Sequence, residues 1–121
     1  ESQQIFTNLP ATVIGAEIDG GSGFWHISDA KTSATAITEI KKAKQGVAYC
    51  IEIGEDDATH GLTIAKSGNF ANITAEWTPS QPGDYIMVIL GKDNKYRELE
   101  RRVGGKRTVN KAVQPNVPGG R

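Results

Sequence analysis

The residues with the clearest potential for chemistry are an acidic cluster and a nearby histidine. Three consecutive carboxylates, Glu55, Asp56 and Asp57, are followed by His60. Hard cations bind such oxygen ligands. The spacing does not match an EF-hand loop, however, and an acidic turn is usually just solvated. We therefore expect neither a metal site nor a bound cofactor.

Acid–base or nucleophilic catalysis has little support in the sequence. His26 and His60 could each work with a carboxylate, but no serine or cysteine stands in a nucleophile-elbow sequence. The single cysteine, Cys50, lies in the middle of the strand-like run VAYCIEI. Apolar burial there would raise the pKa of its thiol and make it a poor nucleophile. The sequence predicts no catalytic residues and a protein that is not an enzyme.

An aromatic segment is the strongest candidate for a binding site. Phe24, Trp25 and His26 follow a Gly-rich turn, and aromatic side chains exposed on a β-sheet can stack on the apolar face of a sugar ring. The competing interpretation is that Trp25 anchors the core, as does Trp77, because tryptophans are more often buried anchors. The segment is thus a candidate contact for a glycan or another surface.

The charge of the chain is strongly asymmetric although its net charge is zero. Residues 1–91 carry five Lys/Arg and eleven Asp/Glu, whereas residues 92–121 carry nine Lys/Arg and three Asp/Glu. The basic part lacks the interleaved aromatic residues that stack on bases, so we expect an acidic protein surface, not nucleic acid, as its partner. Because the rest of the chain is acidic, that surface can belong to another copy. The candidate contacts are Arg101, Arg102, Lys106, Arg107 and Lys111.

Short strands separated by turn residues are predicted to position these groups. Residues 47–53 alternate between apolar and mixed positions, which is typical of a half-buried strand. Residues 85–90 are six consecutive apolar residues, which predicts a central strand covered on both faces. A four-residue loop, 91–94, then leads to a strand over residues 95–101. Strands of this length between Gly, Pro, Asn and Asp predict an all-β structure.

Two regions before residue 47 are less regular. Residues 13–28 predict two short strands on either side of the Asp19–Gly23 turn, whose glycines tolerate positive φ. Residues 30–45 fit two alternatives: Ile37, Ile40 and residues 43–44 fit a helical stripe, while the alternation of Ile37 and Glu39 fits a strand. We favour a strand at 36–40 followed by a turn at 41–46.

The length of 121 residues allows one domain, and the hydrophobic content of 37% is low for a compact one. Such a domain is expected to complete its core with neighbouring copies. No run reaches the length of a membrane span, and no signal-peptide pattern opens the chain. The expected organisation is an N-terminal arm at 1–12, a β domain at 13–103 and a basic Gly- and Pro-containing arm at 104–121. The first arm offers Ile5, Phe6 and Leu9 as contacts.

Short strand and turn segments recur between about Thr35 and Arg101: Ile37–Ile40, Gly46, Tyr49–Ile53, Leu62–Ile64, Gly68–Phe70, Gly83–Tyr85 and Tyr96–Arg101. In these segments the chain resembles the small β domains of bacteriophage fibres and appendages. Residues 77–85 would also suit an immunoglobulin-like strand pair, and the basic C-terminal arm is not part of the phage pattern.

The resemblance implies a mainly β fold, intertwined or β-helix-like in a homotrimer, with extended arms. The expected function is that of a structural protein of a virion or similar extracellular assembly, such as a head fibre, capsid decoration or tail appendage. The alternative is a carbohydrate- or surface-binding β module of an adhesin. Expected partners are other copies of the chain, other virion proteins and a host-surface glycan, with neither nucleic acid nor membrane involved.

Overall fold

The computed structural model describes residues 17–27, 35–54 and 62–111, and its regular structure consists mainly of nine short strands. They belong to one small, mainly β domain, as the sequence predicts, and the described residues include no α-helix. In chain order the strands are β1 (Glu17–Asp19), β2 (Trp25–Ile27), β3 (Thr35–Ala36), β4 (Glu39–Lys41), β5 (Ala48–Glu52), β6 (Leu62–Thr63), β7 (Tyr85–Leu90), β8 (Tyr96–Val103) and β9 (Lys106–Val109). Two single turns of 3-10 helix lie at Gly20–Ser22 and Gly68–Phe70.

The first six strands form three parallel pairs, and the pairs follow the order of the strands along the chain. β1 pairs with β4, β2 with β5 and β3 with β6. Ile18 lies opposite Ile40, Trp25 opposite Cys50 and Thr35 opposite Leu62, so the partners are 22, 25 and 27 residues apart. β4, β5 and β6 therefore lie beside β1, β2 and β3, respectively, in the order in which the strands occur along the chain.

The ambiguity over residues 30–45 is resolved for the part that the structure describes. Residues 35–36 and 39–41 are strands, and residues 42–47 form a turn-containing connection to β5. The extended backbone expected at 36–40 is confirmed, although it is divided into two short strands in different sheets, and a helical stripe is excluded. Ile37, which follows β3, and Ile40 of β4 are both buried in the core.

The largest sheet has five strands in the order β2-β5-β7-β8-β9, so β7 is central as predicted. The expectation that both its faces are fully covered is wrong. Ile86, Val88 and Leu90 are buried, whereas the alternate residues Tyr85, Met87 and Ile89 are only half-buried. Successive side chains of a strand point to opposite faces, so the sheet has one core face and a second, less covered face.

The core lies against the first of these faces and contains most of the large apolar side chains. Trp77 is fully buried, as a core anchor, and the ring of Phe70 stacks on that of Tyr96 with centroids 4.7 Å apart. Trp77 also bridges Ile64 through two backbone hydrogen bonds. The other members of the core are Ile18, Ile37, Ile40, Tyr49, Ile51, Leu62, Ile73, Ile86, Val88 and Leu90.

The predicted boundary between β domain and C-terminal arm at residue 103 is wrong, because the sheet continues to Val109. Lys106–Val109 pairs antiparallel with the end of β8. Gly104 and Gly105 connect the two strands with φ of 62° and 80°, the positive values at both central positions that a tight hairpin turn requires. The Gly-Gly pair between two strand-like runs was therefore a hairpin signal in the sequence.

Candidate functional site

Phe24 and Trp25 lie on opposite faces of the sheet and do not form one aromatic platform. The ring of Phe24 contacts Tyr49 of the core face at a centroid distance of 6.1 Å. The ring of Trp25 contacts Tyr85 of the second face at 6.3 Å. Strand alternation separates adjacent side chains in this way, so the predicted three-residue platform is divided between two surfaces.

His26, predicted as a surface contact, is 1% exposed and lies opposite Ile51 on the core face. Its Nε2 lies 3.0 Å from the Gly23 carbonyl oxygen, which accepts a hydrogen bond in the tautomer with the proton on Nε2. Nδ1 then has no hydrogen-bond partner. Burial lowers the pKa of His26, although the Gly23 carbonyl and the charge of Asp19 act in the opposite direction. His26 is therefore a neutral buried side chain that a surface ligand does not reach.

We expect the folded chain to lose stability as the pH falls from 7.5 to 5. Because the pKa of His26 is lowered in the folded state, the unfolded chain takes up its proton first, at about pH 6.5, and the free energy of unfolding decreases from there downwards. Urea denaturation at several pH values measures this slope. His26→Gln should flatten it. An unchanged slope in His26→Gln would contradict the assignment.

The second face carries a row of hydrogen-bonded polar and aromatic side chains that crosses all five strands. The indole Nε1 of Trp25 donates to Glu52 Oε1 at 2.7 Å, and the Tyr85 hydroxyl donates to Glu100. Arg107 donates from Nε and a terminal nitrogen to the two oxygens of Glu100, each at 3.0 Å. Burial raises the pKa of Tyr85, with Glu100 adding to the shift. The side chains of this row provide hydrogen-bond partners for one another and hold each other in place on this face.

A groove lies on the other side of Phe24, between the 3-10 turn after β1 and the connection from β4 to β5. Phe24 is 43% exposed and forms one wall with Tyr49. A side chain at Gly20 would collide with Ile40 and the Lys41 carbonyl, so glycine lets this turn pack directly on β4. The cavity has a volume of about 510 Å³. Its described lining, here called the Phe24 groove, is Gly20, Gly21, Gly23, Phe24, Lys42, Lys44, Val47 and Tyr49.

Two of the five basic residues predicted as assembly contacts, Arg101 and Arg107, form ion pairs within the chain. Arg101 contacts Glu98 at 2.8 Å, and Glu98 is 1% exposed. Residues three apart in a regular strand face opposite sides, but β8 has a register shift in which Glu98 pairs with Val88 and Glu100 with Met87. This extra residue, Leu99, brings Glu98 and Arg101 to the same face.

The other four basic residues differ in their exposure. Arg107 is exposed but is held by Glu100, and Arg102 is half-buried on β8. Lys106 and Lys111 are exposed. Among the candidate assembly contacts within the described residues, these two lysines project most openly. Ile5, Phe6 and Leu9 of the N-terminal arm lie outside the described residues.

Asp84 organises a site that the sequence interpretation missed. It is 0% exposed, and its carboxylate accepts four backbone N–H bonds. Ser80 and Gln81 donate at 2.9 and 3.1 Å, and Gly104 and Gly105 donate at 2.7 and 3.0 Å. Burial alone would raise the pKa of Asp84, but these four donors lower it. One carboxylate thus joins the loop before β7 to the β8–β9 hairpin.

The features first considered for chemistry are not assembled into a site within the described residues. Glu55, Asp56, Asp57 and His60 lie outside those residues, and the described part contains no group of three potential metal ligands. Cys50 is buried, and burial raises the pKa of its thiol well above the ordinary value. In the described segments, no helix has the length and apolar composition needed to span a membrane.

No protein-family model matches the sequence, and no curated protein matches it either.

Proposed function

We propose that the chain is a structural module of an extracellular assembly, such as a virion appendage, and that it acts by binding other copies of itself. The observation that carries this proposal is the order of the parallel pairs: β1, β2 and β3 are joined to β4, β5 and β6 in the same sequence. The proposal assigns the chain no catalytic residue.

The parallel pairs support an arrangement in which the chain winds through two stacked coils. Partner residues are 22 to 27 residues apart, which is within the repeat length of solenoid proteins. A coil buries its apolar side chains only against its neighbours, and stacked coils produce elongated shapes. β7, β8 and β9 extend the β2-β5 sheet in antiparallel order and would close one end of such a stack.

Charge supports association between copies rather than with nucleic acid. The acidic first part and the basic last part of the chain are complementary, so two copies attract when the basic part of one lies on the acidic part of the other. Lys106 and Lys111 are exposed and available for such contacts. By resemblance to fibre modules, the proposed assembly is a homotrimer whose residues 1–12 bind a neighbour.

The mass of the purified protein in solution tests this proposal. We expect light scattering coupled to size-exclusion chromatography to give three times the chain mass of 13.0 kDa at micromolar concentration. Raising the salt concentration should weaken the association, because salt screens contacts between exposed charges. A folded, heat-stable monomer under the same conditions would overturn the proposal.

Two truncations separate the sheet from the rest of the C-terminal segment. Ending the chain after Lys111 keeps β9, so we expect the free energy of unfolding to change by less than about 0.5 kcal/mol while association decreases. Ending it after Val103 removes β9 and the two donors of Asp84 from Gly104 and Gly105, and should destabilise the fold. If the 1–111 chain has the same mass in solution as the full chain, residues 112–121 do not contribute to assembly.

A second candidate function, binding of a surface carbohydrate, is favoured by the Phe24 groove. The groove combines an exposed aromatic side chain with two lysines and glycine backbone. Binding of a folded monomer to carbohydrates on a glycan array would support this function over self-association.

A further inference from the structure

We propose that the Phe24 groove binds a carboxylated saccharide, with the sugar ring on Phe24 and the carboxylate between Lys42 and Lys44. This inference deepens the second candidate function and does not depend on self-association. The solution mass tests assembly, and the binding measurements below test the groove, so that failure of one leaves the other unaffected.

The size and walls of the groove fit one or two sugar rings. Its volume of about 510 Å³ falls in the range of small-molecule sites, roughly 300–1,000 Å³. Phe24 is the exposed large apolar side chain of the described residues, and its ring is held against Tyr49 at an angle of 48°. An exposed ring offers a flat apolar surface to the C–H face of a pyranose.

Two lysines give the groove its charge preference. Lys42 and Lys44 are exposed, and neither forms an ion pair with a described residue. Other lysines differ: Lys41 pairs with Glu17, and Lys66 donates to the carbonyl oxygens of Ala71 and Ile73. Two lysines on one groove favour an anionic ligand.

The backbone of the turn after β4 places both lysines beside the aromatic wall. Lys42 has φ of 61°, in the left-handed region where a residue with a Cβ is strained and glycine is not. The backbone N–H of Lys44 donates to the Tyr49 hydroxyl at 2.9 Å, so the second lysine is tied directly to the aromatic wall.

These features favour a carboxylated sugar over a neutral sugar and over a nucleic acid strand. A neutral sugar would use the aromatic wall but leave both lysines without a partner. A nucleic acid strand needs successive aromatic platforms, whereas the described lining of the groove has one exposed ring.

The binding test is a titration of the ¹⁵N-labelled full chain followed by heteronuclear NMR. The probes are glucuronate and sialyllactose, with glucose, lactose and benzoate as comparisons. We expect the two carboxylated sugars to shift the amide signals of residues 20–24 and 42–49, and to bind about tenfold more tightly than the neutral sugars. Equal binding of lactose and sialyllactose, tighter binding of benzoate than of glucuronate, or no shifts in the groove would each overturn the proposal.

Three variants test the assigned residues. Phe24→Ala and Lys44→Gln should each weaken glucuronate binding about tenfold. Lys42→Gly should do the same while raising thermal stability, because glycine relieves the positive φ. The control, Lys92→Gln, removes an exposed lysine outside the groove and should bind as the parent does. If Lys42→Gly is folded and binds glucuronate unchanged, the groove is not the site.

Discussion

Replacing Asp84 by alanine is expected to lower the free energy of unfolding by about 3–5 kcal/mol, as when one partner of a buried charged network is removed. The Asp84 carboxylate is fully buried and accepts four backbone N–H bonds. Alanine leaves all four donors without their acceptor, and an unsatisfied buried donor costs about 1–3 kcal/mol. The two parts held together by Asp84, the loop at Ser80 and the turn at Gly104, should both loosen.

Urea denaturation measures this loss, and hydrogen exchange of the Gly104 and Gly105 amides locates it. Asp84→Asn keeps one acceptor oxygen and should be less destabilising than Asp84→Ala. Asp93→Ala is the matched control, because Asp93 is an exposed carboxylate that contacts Arg97 and the N–H of Lys95, and exposed ion pairs contribute little. Equal effects at Asp84 and Asp93 would contradict the role of Asp84.

The lowered pKa of Asp84 also gives the sign of its pH dependence. Its contribution to stability is fully present above the pKa of the unfolded aspartate, about 3.9, and is lost as the pH falls through the lower folded value. The parent should therefore lose more stability than Asp84→Asn between pH 5 and acid unfolding.

Val88→Asp is expected to abolish the soluble fold. Val88 is 0% exposed and lies in the middle of β7, the central strand of the five-stranded sheet. A carboxylate there has apolar neighbours, and burying an unpaired polar group costs about 4 kcal/mol or more. Because a domain of this size is stabilised by roughly 5–15 kcal/mol, this one change removes a large part of the total.

Circular dichroism and the soluble yield of the purified variant provide the readout. Thr108→Asp places the same charge in the same sheet at an exposed position of β9, and should give the spectrum of the parent protein. A Val88→Asp variant with the parent spectrum and melting temperature would mean that β7 is not the buried centre of the sheet.

Features that depend on neighbouring residues could be predicted from the sequence. The alternation of residues 47–53 predicts β5, and the apolar run at residues 85–90 predicts β7 as the central strand; both strands are confirmed. The expected half-burial of β5 is wrong, because Cys50 is buried on one face and Tyr49 and Ile51 are buried on the other. Strand alternation also separates Phe24 from Trp25, and the Gly104-Gly105 pair indicates the hairpin to β9. Both features depend on adjacent residues, so the sequence alone indicates them.

The sites depend on contacts between residues that are far apart in the chain. Asp84 accepts hydrogen bonds from Gly104 and Gly105, about twenty positions away, and nothing in its local sequence distinguishes it from an aspartate in a solvated turn. The Phe24 groove likewise exists because the turn after β1 packs on β4. Trimeric assembly stays a prediction from resemblance and charge.

The amino-acid sequence by itself determined that this protein is a small β domain, because side-chain periodicity and turn residues act over a few positions. Only the tertiary structure decided which strands pair, which face of each strand is buried and which charges are paired. Strand pairing joins segments more than twenty residues apart, and the extra residue in β8 changes which of its side chains face the core. That is the physical reason why Glu98 and Arg101 lie on the same face of β8 and form an ion pair.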